Sequence, residues 1–140
     1  MIKFSVIMPT YNRAFCIGNA IRHILGQSYN DFELLIIDDG STDNTYDFIM
    51  KNYSAELKSG KIVYYKIINN AGVCAARNMG LRLAKNDWIV YCDTDNTVRS
   101  NFLDVFANAI KSFPNTKTFY AKFQYQTSGT VLGQPFDFMQ

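Results

Sequence analysis

Trp88-Ile89-Val90-Tyr91-Cys92-Asp93-Thr94-Asp95-Asn96 is the stretch that decides how the rest of the chain is read. A short apolar run stopping in two carboxylates one residue apart reads as a buried strand that delivers acids to the carboxyl edge of a sheet, where open α/β folds keep their ligands. Two carboxylates in one place repel unless a cation or protons neutralise them. Hard oxygen ligands of this kind suit magnesium or manganese shared with a substrate's phosphates. The same residues also fit a polar strand exit in which Asp95 or Asn96 caps whatever follows. Spacing alone leaves both readings open.

Upstream of that strand, Asn69-Asn70-Ala71-Gly72-Val73-Cys74-Ala75-Ala76-Arg77-Asn78-Met79-Gly80 opens a helix with Val73, Ala76, Gly80, Leu83 and Ala84 on one side. Small residues on that side let the helix lie close to the sheet or to a ligand. Arg77, near its start, reads either as a surface cation or as a guanidinium fork for a phosphate or an acidic pair. Further back, Phe32 to Ile37 is a second apolar run, ending in Asp38-Asp39-Gly40-Ser41-Thr42-Asp43. Gly40 permits a tight turn, and Ser41 or Asp43 can cap a helix whose Tyr46, Ile49, Met50 and Tyr53 share a face. The adjacent Asp38 and Asp39 are left to ligand binding or to turn chemistry. A polar linker, Ser59-Gly60-Lys61, leads to a third strand, Ile62 to Ile68.

The chain begins with Phe4 to Met8, a central strand stopped by Pro9, whose exit is Pro9-Thr10-Tyr11-Asn12-Arg13. Ile17, Ala20, Ile21, Ile24 and Leu25 then mark one face of a helix ending near Gly26. Downstream of Asn96, a helix capped by Ser100 or Asn101 turns Leu103, Phe106, Ala107 and Ile110 inward. Thr118 to Gln126 alternates as a half-exposed fifth strand. Strands and helices therefore alternate from end to end, the signature of a parallel, doubly wound α/β sheet with right-handed crossovers.

Composition narrows the function classes. The 140 residues, 48% hydrophobic and 15% aromatic, suffice for one core, so residues 1–140 are expected to form a single domain. A net charge of +2 from 14 basic and 12 acidic residues carries no nucleic-acid footprint. Cys16, Cys74 and Cys92 are odd in number and lack C-x-x-C spacing, which favours buried reduced thiols in a reducing compartment. The only histidine, His23, falls off the helix stripe and has no ligand partner at metal spacing, so it reads as a surface residue rather than a base. No run approaches the ~18 apolar residues that would span a bilayer. Gly133 to Gln140 exposes apolar groups with nothing after them to pack on, and so the chain reads as truncated.

Taken together, Pro9-Thr10-Tyr11-Asn12-Arg13, Asp38-Asp39-Gly40-Ser41-Thr42-Asp43, Asn70-Ala71-Gly72 with Ala76-Arg77-Asn78 and Gly80, and Asp93-Thr94-Asp95 resemble, in order, the blocks of the inverting glycosyltransferases of family 2. The resemblance covers almost the whole chain. It implies the GT-A fold, a Rossmann-like, mostly parallel sheet, and a UDP- or dTDP-sugar donor. It also places Thr10, Tyr11 and Arg13 beside the nucleotide, Asp39 on the base and Arg77 near base or phosphate. Asp93 would meet ribose or metal, and Asp95 the Mn²⁺ or Mg²⁺ that holds the diphosphate. The implied acceptor is a saccharide or a lipid-linked sugar in polysaccharide biosynthesis. The implied setting is the cytoplasm, with peripheral attachment at the inner face of the membrane left open. Asn96 stands where the family often has a further acid. No general base is identified: only Asp104 and Asp137 follow Asp95, and the acceptor-binding part is expected to be missing.

Other readings fare worse. A dinucleotide dehydrogenase needs G-x-G-x-x-G after the first strand, and no glycine stands there. Asp93-Thr94-Asp95-Asn96-Thr97 also resembles the loop of haloacid-dehalogenase-like phosphatases, but too little chain follows for their remaining motifs. A non-catalytic nucleotide-sugar-binding module is the main alternative to an enzyme.

Overall fold

The computed structural model of the chain describes residues 1–121 together with the backbone of residues 123–124 and 131–132. It forms two compact units, Met1–Ala107 and Asn108–Gln140. The first contains β1 (Phe4–Thr10), α1 (Ile17–Leu25), β2 (Phe32–Asp38), α2 (Thr45–Asn52), α3 (Ser54–Ser59), β3 (Ile62–Lys66), α4 (Val73–Leu83) and β4 (Trp88–Tyr91). α5 (Phe102–Ser112) runs across the boundary, and the second unit holds β5 (Phe123–Gln124) and β6 (Val131–Leu132).

The sheet of the first unit has the order β3-β2-β1-β4 with every pair parallel. β1 and β2 are buried on both faces along their whole length, as largely apolar runs in a covered parallel sheet should be, and they carry Ser5, Thr10, Glu33 and Asp38 into that burial. On one face, Ile7, Leu35 and Ile37 form a core with Ala76 of α4, flanked by Val63, Met79, Leu83 and Ile89. The alternate residues Val6, Met8, Leu34 and Ile36 face the other way and are equally buried. The buried stripe of α1 (Ile17, Ala20, Ile21, Ile24), Ile49 of α2, and Leu103 and Ala107 of α5 are the apolar groups left to cover them.

Strand β4 is the last strand of the sheet on its side, and this corrects the expectation of a buried strand. Its residues are half-buried and Tyr91 is exposed. Its register is set from the entry side. Asn86 donates from its backbone to Ser5 Oγ (3.2 Å) and from its side chain to the Phe4 carbonyl (2.9 Å). Buried Glu33 accepts from the Ser5 hydroxyl (2.7 Å) and the Lys85 N–H (2.8 Å). With Trp88 opposite Phe4 and Tyr91 opposite Ile7, the strand leaves the sheet at Cys92, whose N–H donates to the Ile7 carbonyl at 3.0 Å.

Two further expectations change. The helix drawn through Tyr46 and Tyr53 breaks at Tyr53, which turns inward and donates its hydroxyl to the Gly18 carbonyl (3.1 Å), while Tyr46 remains half exposed. Of the fifth strand expected over 118–126, residues 118–121 carry no strand, and Phe123–Gln124 forms one that pairs antiparallel with Val131–Leu132. Lys122, Tyr125 and Gln126 lie outside the described residues. Among the described residues, no helix is long and apolar enough to cross a membrane.

α4 lies against β1 at Gly80, where an added Cβ would stand 2.4 Å from Ile7 Cγ2. Ile7 is completely buried and has nowhere to move. Gly80→Ala is expected to destabilise the fold by up to about 2 kcal/mol, because overpacking of ~1–3 kcal/mol is offset only in part by the ~1 kcal/mol gained in helix propensity. Urea denaturation checks this; a raised midpoint would show that Ile7 gives way.

Candidate functional site

Asp39, Asp93 and Asp95 sit on loops at the carboxyl edge of the sheet, and Asp38 is the last residue of β2. The strand order reverses between β1 and β4, which makes their shared edge the switch point where such folds bind ligands. A cleft of about 360 Å³ opens there. It is lined by all seven residues named above as binding or metal-bearing, Thr10, Tyr11, Arg13, Asp39, Arg77, Asp93 and Asp95, together with Asn70, Gly72, Val73 and Thr94.

The β1 and β2 exits are clasped together. Asn12 is the one non-glycine with positive φ among the described residues, at 53°, a conformation that asparagine tolerates better than most. So placed, its side-chain oxygen accepts from the N–H groups of Thr42 (2.8 Å) and Asp43 (3.2 Å), while its own N–H donates to Ser41 Oγ (2.8 Å). The Arg13 N–H reaches Thr45 Oγ1 (3.1 Å), and the Ala14 N–H reaches Asp43 Oδ2 (3.1 Å). Ser41 and Asp43 thus join one loop to the other, and the α2 N-cap position itself, Asn44, makes no side-chain cap. Sequence reading passed over Asn12; its position in a short exit loop after proline was the available signal.

Asp38 and Asp39 divide their work. Asp38 is fully buried: one oxygen accepts from the Ser41 N–H (2.7 Å) and the other from the Tyr64 hydroxyl. Burial, followed by that hydrogen bond, pushes the Tyr64 phenol well above its usual range and keeps it a donor. Asp38 is therefore turn chemistry. Asp39, only 3% exposed, accepts from the Ala71 N–H (2.9 Å) with one oxygen and the Gly72 N–H (2.7 Å) with the other. Its own N–H donates to the Thr10 carbonyl (2.8 Å). Asp39 thereby ties the β2 exit to the entrance of α4, where Gly72 takes φ 90°, and still borders the cleft. Gly40 makes the close approach feasible: with φ 80°, a Cβ there would stand 3.0 Å from the Asn70 nitrogen.

On the other wall, Arg77 Nη2 bonds Asp93 at 3.0 Å and 3.4 Å, one to each carboxylate oxygen. Arg77 Nε and the Thr10 hydroxyl are buried without a protein partner. Thr94 is buried, whereas Asp95 is exposed at the cleft. Burial, reinforced by the carboxylates of Asp93 and Asp95, pushes the Cys92 thiol up to about 12 and leaves it inert. Cys16, Cys74 and Cys92 are all free; Cys74 is exposed, which corrects the expectation of a buried thiol. His23 is half-buried in the last turn of α1. Asp104, on α5, accepts from the Ser28 hydroxyl and does not line the cleft; Asp137 lies outside the described residues.

Can these residues hold a divalent ion? Among the described residues, no group of three or more His, Cys, Asp or Glu converges on one point. Asp95 offers an exposed carboxylate and Asp93 a second, partly engaged by Arg77. That donor set does not make an all-protein cage. It fits an ion taken up through one or two carboxylates, with phosphate oxygens and water completing the shell.

The Glycosyl transferase family 2 profile matches residues 5–135. The putative colanic acid biosynthesis glycosyl transferase WcaA of Escherichia coli K12 is 34% identical over 131 residues, covering 94% of this chain and 46% of that protein. Among solved structures, Staphylococcus aureus TarS in complex with UDP-GlcNAc superposes with a TM-score of 0.73 at 27% identity, over 81% of this chain and 32% of that one. The mannosyltransferase PcManGT of Pyrobaculum calidifontis, in complex with GDP-Man and Mn²⁺, gives 0.69 at 27% identity, over 81% and 32%. This chain spans less than half the length of each of these relatives. With the α/β fold, the parallel sheet and the loops of its carboxyl edge as described, the chain belongs to glycosyl transferase family 2.

Proposed function

We propose that this chain binds the donor of an inverting glycosyltransferase, a UDP- or dTDP-sugar, with help from Mn²⁺ or Mg²⁺. The observation that carries the proposal is the single cleft shared by Thr10, Tyr11, Arg13, Asp39, Arg77, Asp93 and Asp95. Nucleotide sugars in the solved relatives, UDP-GlcNAc in TarS and GDP-Man in PcManGT, support a donor of this class. In this reading Asp39 accepts from the N3–H of uracil or thymine with lone pairs not taken by Ala71 and Gly72. Tyr11, 45% exposed on the β1 exit, and the unpartnered Thr10 hydroxyl face the nucleoside. Arg13 and Arg77 supply positive charge toward the phosphates. Asp93 meets the ribose or the cation, and Asp95 holds the cation.

The physics of the reaction asks for these groups. Breaking the glycosidic bond leaves a nucleoside diphosphate with new negative charge, which fixed cations at the cleft stabilise. A divalent ion supplies, when bound, further neutralisation of that leaving group. Deprotonating the acceptor needs a base, and none is assigned here. The acceptor is taken to be a saccharide or lipid-linked sugar, and the free cysteines accord with a cytoplasmic setting, with peripheral attachment at the inner face of the membrane left open.

Calorimetry with UDP, dTDP, CDP and GDP, with and without Mn²⁺, tests the reading. UDP or dTDP is expected to bind at least about tenfold tighter than CDP, because cytosine lacks the N3–H donor. Equal affinity for UDP and CDP would sink the role of Asp39, and tighter GDP would change the donor class.

A further inference from the structure

We propose that Tyr91 is a positioning residue for the donor cleft. Its ring holds the Arg77 guanidinium against Asp93, so that Asp93 meets the ligand in one orientation while Asp95 stays open to the cation. The proposal deepens the donor-binding reading above and rests on it.

The geometry begins with strand alternation. Ile89 packs against the core under α4, so Tyr91, two residues on, points to the same side. Arg77 comes down from α4 on that side, and its Cζ lies 5.6 Å from the centroid of the Tyr91 ring. Only one nitrogen of the guanidinium, Nη2, reaches Asp93, so the ion pair is not a two-armed fork and does not fix the guanidinium plane. Both partners are well exposed, 36% and 45%, and a pair in that setting is too weak to immobilise an arginine alone. The second restraint is the aromatic face, which attracts the cation and limits its swing. Core packing does not account for Tyr91, which is 46% exposed at the very end of β4. Its position between the sheet and the Arg77–Asp93 pair does.

The test uses the whole 140-residue chain and two readouts. The first is the Nε–Hε resonance of Arg77 in the ligand-free protein. Tyr91→Leu is expected to move it out of the ring's shielding, whereas Tyr91→Phe, which keeps the ring, leaves it in place. The second is a double-mutant cycle on Mn²⁺–UDP affinity. Tyr91→Leu is expected to weaken binding about fivefold and Tyr91→Phe by less than twofold. Tyr91→Leu should add nothing once Arg77 is alanine, since its effect runs through the guanidinium. An Arg77 resonance indifferent to Tyr91→Leu would overturn the proposal, as would full additivity in the cycle. Failure of the parent chain to bind UDP would sink the donor reading instead, and the resonance would still decide whether Tyr91 holds Arg77.

Discussion

Asp95→Ala is expected to lower the Mn²⁺-dependent affinity for UDP by at least about a hundredfold, the scale on which disturbing a metal site acts. The expectation follows from the unequal states of the two acids after β4. Asp93 already shares its charge with Arg77, whereas Asp95 stands exposed at the cleft. A cation that approaches the diphosphate therefore finds its strongest protein ligand in Asp95. Asp93→Ala should cost less, about tenfold, and part of that loss would come from freeing Arg77. The check is calorimetric titration of UDP with Mn²⁺ and again in EDTA. UDP affinity that survives both Asp95→Ala and EDTA would remove the metal from the account.

Asp39→Ala is expected to act on the fold before it acts on the ligand. Both oxygens of this buried carboxylate accept from backbone amides at the entrance of α4. Losing them leaves two N–H groups without partners, at about 1–3 kcal/mol each where water cannot replace the acceptor. Chemical denaturation should show a loss of about 2–6 kcal/mol, large beside the 5–15 kcal/mol that holds a typical domain together. Asp39→Asn separates the roles, because an amide keeps one acceptor for the helix and loses the carboxylate that reads N3–H. It should retain much of the stability while narrowing the preference for UDP over CDP. A stable Asp39→Ala protein would show that water or Asn70 takes over the amides.

The legible parts of this molecule are those governed by period and by loop chemistry. The runs Phe4 to Met8 and Phe32 to Ile37 are apolar except at Ser5 and Glu33, which bond each other, and became the two doubly buried strands. The helix read through Ile17 to Leu25 and ending near Gly26 spans Ile17–Leu25, with Ile17, Ala20, Ile21 and Ile24 of its stripe buried. The acids at the strand ends came together because parallel topology sends every carboxyl edge the same way. Less legible were features that depend on partners far along the chain. Nothing in Asp38-Asp39 indicates which carboxylate Tyr64 will consume and which will tie down Ala71 and Gly72. The fifth strand is a related case: alternation from Phe119 onward states which faces differ, not which neighbour offers a ladder, and Phe123–Gln124 pairs antiparallel with Val131–Leu132. Tyr91 belongs to the apolar run before Asp93, and the period of two already places it on the side of Ile89, but its contact with Arg77 depends on where α4 packs.

The Asn12 clasp bears on where this scaffold can be lengthened. Because the β1 and β2 exits are spliced amide by amide, from Asn12 and Arg13 to Ser41, Thr42, Asp43 and Thr45, an extra residue in either would shift one set of donors out of step with the other. The Asp39 tie places the same restriction on residues 69–72. At Gly60 the chain is in the left-handed region and an added Cβ would meet nothing within 4 Å. Reporter peptides or affinity tags spliced between α3 and β3 should therefore leave the cleft intact, whereas the same cargo at residues 11–14 or 40–44 would dismantle it.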